Sequence, residues 1–168
     1  MSLKCLARKP AAVELKSSGG FTLLELLVNL AIIGILIAVA IPVYNAFRDK
    51  AKTAGAKSDL HTIRLTVEQL ANDTEKWPGP SDVGKVSSRE VWDLNSDDAG
   101  LVQAGKKFSN WKGPYLNSIP KDPWGSDYFF DGDYAIGGTK YAIVGSFGPN
   151  RCCQNKADSD DIILKLTE

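Results

Sequence analysis

Hydrophobic residues are concentrated in one continuous run near the start of the chain. Residues 21–41 are apolar apart from Thr22, Glu25 and Asn29. As an α-helix these 21 residues would span about 31 Å, the thickness of the hydrocarbon core of a bilayer. Residues 1–20, which precede the run, are basic, small and polar, with no apolar periodicity. The pattern predicts a single transmembrane helix behind a basic N-terminal segment.

The same segment has features of a secretory signal peptide. Ala38-Val39-Ala40 has the A-x-A form of a cleavage site and follows a basic region and an apolar stretch. The carboxylate of Glu25 inside the apolar stretch counts against this alternative. An uncompensated charge there costs about 2.5–3.5 kcal/mol on insertion scales. Composition alone leaves the signal peptide open as an alternative.

A second pattern follows, with apolar residues at helical spacing. Four of them recur three or four positions apart and form one stripe: Leu60, Ile63, Val67 and Leu70. We predict that the helix continues through Pro42, which should kink or loosen it. It should extend to about Lys76, because the Pro- and Gly-rich residues 77–80 would end it sharply.

Beyond the helix, short runs of aromatic and β-branched residues alternate with turn residues, which is typical of antiparallel strands. We predict strands at 127–130, 134–136, 141–144 and 162–166, and one short helix around 88–94. The expected fold is therefore α+β. A long N-terminal α-helix, with a transmembrane half and an amphipathic half, would pack on a small antiparallel β-sheet.

Length and charge restrict the function classes. The chain has 168 residues and 18.2 kDa, enough for one ordinary domain with appendages. Its 20 basic and 20 acidic residues give a formal net charge of zero, so no overall field attracts nucleic acid and none is expected as a partner. His61 is the only histidine, so no histidine pair exists for a metal site or a catalytic dyad.

Four aspartates in the C-terminal half, Asp122, Asp127, Asp131 and Asp133, are close enough in sequence to consider paired-carboxylate chemistry. Carboxylates that cap turns are far commoner in such positions. The sequence contains no nucleophile elbow, phosphate-binding loop or histidine-rich metal motif. We therefore expect a protein that is not an enzyme.

Two sets of motifs carry a resemblance to a known family. Residues 19–25, Gly-Gly-Phe-Thr-Leu-Leu-Glu, resemble the processing site of type IV pilins and type II secretion pseudopilins. Residues 113–116, 119–125 and 141–148 are similar to motifs of the major pseudopilin of the type II secretion system. The run Pro-Lys-Asp-Pro-Trp-Gly is specific, because Pro fixes the approach, Asp can cap the turn and Trp supplies buried area.

The resemblance implies how the chain is processed and organised. A prepilin peptidase would remove the leader, residues 1–20, by cutting after Gly20, and Phe21 would become an N-methylated N-terminus. Residues 21–43 would form the transmembrane and filament-core helix. Residues 44–168 would form a pilin-like globular domain in the periplasm.

Glu25 would be the fifth residue of the processed chain. A buried carboxylate needs a cation, and cleavage would create an ammonium at Phe21, four residues away. In the family the partner is generally the amine of a neighbouring subunit, so the pair would select register during filament assembly. The alternative is a Glu25 side chain that snorkels from the helix end to the membrane surface.

The resemblance further implies a structural subunit of a secretion filament, a homopolymer that drives protein export. The implied partners are the prepilin peptidase, an assembly ATPase, inner-membrane platform proteins and minor pseudopilins. The chain would lie in the bacterial inner membrane before it joins a periplasm-spanning or surface filament. The alternative is a type IV pilin for adhesion, motility or DNA uptake. Such pilins usually end in a loop closed by well-separated cysteines, which this chain lacks.

In the pseudopilin family the loop before the last strand binds calcium. By position the matching residues are the carbonyl of Phe147 and the side chains of Asn150, Asp158, Asp160 and Asp161. Three crowded carboxylates suit a hard cation with oxygen ligands. Asn150 stands where the family usually has aspartate, which removes one negative charge and should weaken calcium affinity.

Two of the three cysteines would remain after processing, because Cys5 lies in the leader. Cys152 and Cys153 are adjacent in the candidate calcium loop and could form a vicinal disulfide or each pair with another chain. Thiols are not kept reduced outside the inner membrane, so an oxidised pair is compatible with that location. The two cysteines alone lack the other ligands of a closed zinc site.

Overall fold

The structure is a computed structural model that describes residues 20–104, 106–154 and 158–167. The predicted leader therefore lies outside the described residues, apart from Gly20. The chain divides into two units, one that ends at Val43 and one that begins at Tyr44.

The first unit contains the beginning of one long helix, α1 (Leu23–Thr74). No residue between 20 and 43 is buried, and the large aliphatic side chains are between 48% (Val28) and 77% (Leu23) exposed. Within the described residues, α1 alone is long and apolar enough to cross a bilayer. Pro42 lies inside the helix and does not end it.

In the second unit α1 buries a single stripe. The predicted stripe is confirmed, because each of its four residues is at most 2% exposed: Leu60, Ile63, Val67 and Leu70. These side chains form the main core together with Phe130, Ala142 and Val144 of the sheet. Burying apolar surface against the sheet is the main source of stability for this half of the helix.

The helix ends at Thr74, two residues before the predicted end at Lys76. Glu75 adopts a φ of 56°, and its N–H donates to the carbonyl of Ala71 at 2.8 Å. A residue in the left-handed region satisfies a terminal carbonyl and turns the chain out of the helix.

Within the described residues, six strands form two antiparallel sheets. They are β1 (Lys76–Trp77), β2 (Ser81–Asp82), β3 (Glu90–Val91), β4 (Phe129–Ile136), β5 (Thr139–Ser146) and β6 (Ile162–Lys165). β1 pairs with β2, and the larger sheet has the order β3-β4-β5-β6. The predicted strands at 141–144 and 162–166 correspond to β5 and β6. Gly137 and Gly138, with φ values of 58° and 86°, form the tight turn between β4 and β5.

Strand β4 corrects one prediction. The strands predicted at 127–130 and 134–136 are a single strand with a bulge between Asp131 and Tyr134, where the register with β5 shifts. Gly132 lies in the bulge, and a Cβ there would collide with the carbonyl oxygen of Ser87. A bulge breaks the alternation of side chains, so the sequence pattern looks like two short strands.

The short helix predicted around 88–94 is wrong, because this segment contains β3. The N–H of Ser87 donates to the carbonyl of Gly132 at 3.0 Å, and the N–H of Gly132 donates to the carbonyl of Arg89 at 2.8 Å. The backbone is therefore satisfied by a strand that is distant in sequence, which local composition does not reveal.

Successive residues of β4 face opposite sides of the sheet. Phe130 lies in the main core, whereas Phe129 lies in a second cluster with Tyr134, Ile143 and Phe147. The rings of Phe129 and Phe147 stack with their centroids 4.5 Å apart. Phe147 therefore anchors the chain directly after β5, where the candidate calcium loop begins.

Candidate functional site

A capping box closes the N-terminal end of α1. Thr22 precedes the helix, and its Oγ1 accepts a hydrogen bond from the N–H of Glu25 at 3.2 Å. In return, Oε2 of Glu25 accepts hydrogen bonds from the N–H and the hydroxyl of Thr22, both at 2.9 Å. These contacts satisfy donors that the first helical turn leaves unpaired. Glu25 therefore fixes the start of the helix inside the predicted processing motif.

The capping box leaves one oxygen of Glu25 available. Oε1 makes no hydrogen bond within the described residues, because both bonds from Thr22 go to Oε2. Cleavage after Gly20 would remove neither member of the box. The sequence interpretation missed Thr22 as a partner of Glu25, although Thr-x-x-Glu before an apolar run is a capping-box signature.

A buried polar network holds the base of the loop between β5 and β6. Asp122, which is 4% exposed, accepts the N–H groups of Trp124 and Ser126 at 3.0 and 2.8 Å, and so caps its turn. Its other oxygen accepts the hydroxyl of Ser146 at 2.6 Å. The Ser146 oxygen in turn accepts the N–H of Gly148 at 3.1 Å. The Pro-Lys-Asp-Pro-Trp-Gly turn and the start of the loop therefore form one network.

The two arms of the loop touch at Gly148. Its φ is 65°, and a Cβ there would collide with the backbone carbonyl oxygen of Asp160. Ser146 and Ile162 pair in the sheet just below this contact. Only glycine permits both the left-handed backbone and the close approach.

Three of the predicted ligand residues are joined by hydrogen bonds. Nδ2 of Asn150 donates to Oδ2 of Asp158 at 2.8 Å, and the N–H of Asp158 donates to Oδ2 of Asp161 at 3.0 Å. The hydroxyl of Tyr134, on β4, donates to the same oxygen of Asp161 at 2.6 Å. The sequence interpretation missed Tyr134, because its contact depends on the packing of β4 beside the loop and leaves no signal in residue spacing.

One buried oxygen of Asp161 has no partner. Oδ1 is inaccessible to solvent and accepts no hydrogen bond within the described residues. Burial raises the pKa of Asp161, and the hydrogen bond from Tyr134 opposes this rise. A buried carboxylate oxygen without a donor is unfavourable. The side-chain oxygens of Asn150, Asp158 and Asp161 are of the kind that a hard cation binds, so these residues fit such a cation.

The other two predicted ligands are less closely involved. Asp160 is exposed, and its N–H contacts the Asp158 carboxylate at 3.4 Å. This N–H lowers the pKa of Asp158. The ring of Phe147 lies in the second cluster, and its carbonyl directly precedes Gly148. The structure thus joins Asn150, Asp158 and Asp161 and leaves the Asp160 side chain at the surface.

Cys152 and Cys153 form a vicinal disulfide in the same loop. Cys152 is exposed and Cys153 is half-buried. The N–H of Cys152 donates to Oδ1 of Asn150 at 2.9 Å. The amide oxygen that was expected to be a metal ligand therefore already accepts a backbone hydrogen bond.

A second acidic group lies where β3 meets the bulge of β4. Glu90, Asp131 and Asp133 bring carboxylate oxygens within 4.8 Å of one another. The N–H of Asp133 donates to Asp131 at 2.8 Å, and Nζ of Lys140 donates to Asp133 at 2.6 Å. The sequence interpretation singled out both aspartates and missed Glu90, because a helix was predicted where β3 lies.

Burial raises the pKa of Asp131, which is 5% exposed, to about 6. The N–H of Asp133 opposes this rise, and the charges of Asp133 and Glu90 contribute to it. Asp122 is engaged in its turn, and Asp127 forms an ion pair with Lys121 at 2.8 Å. Of the four aspartates considered for catalysis, only Asp131 and Asp133 are in contact through the hydrogen bonds of the described residues.

Comparisons with known proteins agree with both sequence resemblances. A family model described as "Type II secretion system (T2SS), protein G" matches residues 95–164, and one described as "Prokaryotic N-terminal methylation motif" matches residues 15–41. A type II secretion system core protein G from Pseudomonas aeruginosa is 30% identical over 157 residues, which cover 87% of this chain and 96% of that protein. The chain belongs to the type II secretion system core protein G family.

Another protein of the protein G family is similar over a shorter part of the chain. The Escherichia coli K12 protein is 30% identical over 109 residues, which cover 65% of this chain and 68% of that protein. A crystal structure of the major pseudopilin of enterohaemorrhagic Escherichia coli has a TM-score of 0.48 and 23% identity, and covers 70% of this chain and 86% of that one. Membership of the protein G family favours the secretion pseudopilin over the type IV pilin alternative.

In this member of the protein G family, we expect Asp131→Asn to stabilise the fold at pH 7 by on the order of 1 kcal/mol. The folded-state pKa of about 6 lies above the usual 3.8, so the folded chain binds more protons between these values. Stability from this group is therefore lost as the pH rises from about 4 to about 6. Asparagine cannot ionise, and its oxygen can still accept the N–H of Asp133.

Thermal unfolding of the detergent-solubilised chain, followed by tryptophan fluorescence between pH 4 and pH 8, measures this effect. Asp127→Asn is the matched control, because Asp127 lies in a partly exposed ion pair with Lys121. The quantity to compare is the stability that Asp131→Asn gains over the unsubstituted chain. The interpretation of Asp131 is wrong if this gain is no larger at pH 7 than at pH 4.

Proposed function

We propose that this chain is a structural subunit of a type II secretion filament that polymerises through the first part of α1. The observation that carries the proposal is that the apolar side chains of residues 21–43 are exposed on every side of the helix. Such a surface is unfavourable in water and has to be covered by lipid or by the same segment of other copies. The proposed role is structural, and no residue is assigned to catalysis.

We propose that a prepilin peptidase prepares the segment for assembly by cutting after Gly20, and that Phe21 is then N-methylated. The match of the methylation-motif family to residues 15–41 supports this step. Before assembly the helix would cross the inner membrane, with the globular domain in the periplasm. Extraction from lipid needs work, which an assembly ATPase and inner-membrane platform proteins would supply, and minor pseudopilins would join the same filament.

Glu25 would specify register within that filament. One of its oxygens is held by Thr22, and the other is available to an ammonium of Phe21 from a neighbouring subunit. In lipid or among packed helices, a carboxylate without a cation is expensive, so mispaired subunits are disfavoured. The ion pair between Glu25 and the neighbouring Phe21 would then act mainly by making filaments that lack it less stable.

We also propose that the loop between β5 and β6 binds calcium. Support comes from the solvent-inaccessible, unpartnered Oδ1 of Asp161 and from its connection to Asp158 and Asn150. The carbonyl of Phe147 and the carboxylate of Asp160 would complete the oxygen ligands. A bound calcium ion would supply positive charge among three carboxylates that otherwise repel one another.

The N-terminus of the membrane-extracted protein tests the proposal directly. In cells that contain a prepilin peptidase, we expect the intact mass and N-terminal sequence to begin at methylated Phe21. Cells without the peptidase are the control and should retain Met1. A start at Ile41 would instead show cleavage of a secretory signal after Ala40, and the filament mechanism would be excluded.

Two substitutions at Glu25 separate its charge from its capping role. Glu25→Gln keeps an oxygen that can accept from Thr22 but has no charge, whereas Glu25→Val loses both. We expect both variants to reduce filament yield about tenfold or more, because neither can pair with an ammonium. Filaments sheared from cells with the secretion system, quantified against total subunit, provide the measurement. Assembly of either variant at normal rates would contradict the charge-pairing role.

Calcium binding can be tested by changing the charge of the loop. We expect Asn150→Asp to tighten calcium binding by about tenfold and Asp161→Asn to weaken it by about tenfold or more, because affinity follows ligand charge. Titration calorimetry on the detergent-solubilised chain measures both, with Asp127→Asn as a control outside the loop. Unchanged binding in Asp161→Asn would exclude this site.

A further inference from the structure

Asn150 connects the two arms of the loop between β5 and β6, which we call the acidic loop. Oδ1 of Asn150 accepts the N–H of Cys152 at 2.9 Å, and Nδ2 donates to the carboxylate of Asp158 at 2.8 Å. The amide has only one orientation that satisfies both neighbours. If it were flipped, its oxygen would face a carboxylate and its NH2 group would face a backbone N–H.

The disulfide lies next to the backbone N–H that Asn150 accepts. Arg151 and Cys153, on either side of Cys152, have φ values of 54° and 116°. Non-glycine residues at positive φ are unfavourable and persist only where the surroundings hold them. Arg151 is held by its own N–H, which donates to the carbonyl of Gly148 at 3.3 Å, and the covalent bond between Cys152 and Cys153 restrains the backbone of Cys153.

Asp158 connects Asn150 to the end of the acidic loop that precedes β6. Its N–H donates to Oδ2 of Asp161, which also accepts the hydroxyl of Tyr134. The chain of contacts therefore runs from the disulfide through Asn150 and Asp158 to strand β4. Each link is a hydrogen bond between described residues, and none of them requires a cation.

We infer that the Cys152–Cys153 disulfide is a redox modification site that closes the acidic loop through Asn150, and that a dithiol opens it. The inference goes beyond the proposed calcium site and does not depend on it. Cys152 is the more exposed of the two residues, so its Sγ is the proposed point of attack.

The reaction is a thiol–disulfide exchange. A thiolate of the dithiol attacks Sγ of Cys152, the bond between the two sulfurs breaks, and Cys153 leaves as a thiolate that takes up a proton. The second thiol of the reagent then attacks the mixed disulfide, which releases Cys152 as a thiol and forms a disulfide in the reagent. Two electrons and two protons pass to the loop in total.

Amide hydrogen exchange tests the inference, because it reports directly on the N–H groups of Cys152 and Asp158. The full chain in detergent is compared in four conditions: oxidised or reduced with dithiothreitol, each with calcium or with a chelator. We expect both amides to exchange about tenfold more slowly in the oxidised chain than in the reduced chain when the chelator is present. The double substitution of both cysteines by serine should behave like the reduced chain and should not respond to dithiothreitol.

Two single substitutions locate the effect. Asn150→Asp keeps the oxygen that accepts the N–H of Cys152 but loses the NH2 group that donates to Asp158. We expect it to remove the protection of the oxidised chain in chelator. Ser159→Ala is the matched control in the same loop and should leave protection unchanged, since the Ser159 hydroxyl makes only a 3.3 Å contact with Asp158.

The four conditions separate this inference from the calcium proposal. Protection that depends on calcium and is equal in both redox states overturns the inference and supports the calcium site. Protection of the oxidised chain in chelator, lost on reduction, supports the inference whether or not calcium adds to it. Rapid exchange of both amides in all four conditions overturns both.

Discussion

The apolar surface of the first part of α1 is the constraint on which the organisation of the chain depends. Residues 21–43 expose apolar side chains all around the helix, whereas the part within the second unit buries a single stripe. The first part of the helix is therefore suited to apolar surroundings, and the second part is suited to packing on one side against a folded domain. Between apolar helices in lipid the hydrophobic effect adds little, so packing and polar contacts have to specify which neighbours meet and in what register. Glu25 is the acidic group in that segment; one of its oxygens caps its own helix, and the other would be available for the proposed contact with another chain.

The second unit meets a different requirement, which is to close a long connection between neighbouring strands. Ser146 and Ile162 pair in the sheet, but the residues between them form no strand within the described part of the loop. The network that runs from Asp122 through Ser146 to Gly148 fixes one end. The hydrogen bond from Tyr134 to Asp161 fixes the other. Both ends of the loop are therefore attached to the folded core.

The sequence predicted the parts of the fold that depend on local periodicity. The stripe from Leu60 to Leu70 and strands β5 and β6 follow from the spacing of apolar residues, and the turn at Asp122 follows from its neighbours. The predictions from sequence were wrong or incomplete where pairing between residues distant in the sequence decides the conformation. β3 is two residues long and is stabilised by the bulge of β4, so neither its strand nor the approach of Glu90 to Asp131 can be derived locally. Tyr134 and the buried oxygen of Asp161 were missed for the same reason.

The charge of the loop explains why Asn150 and the adjacent cysteines belong together physically. Asp158, Asp160 and Asp161 lie within four residues, and a further carboxylate at position 150 would repel Asp158 unless a cation lay between them. An amide reverses that contact, because its NH2 group donates to the carboxylate. The N–H of Cys152 occupies the amide oxygen, which favours the orientation in which the NH2 group faces Asp158. The uncharged side chain at position 150 and the neighbouring Cys152–Cys153 disulfide therefore both affect the contact between Asn150 and Asp158.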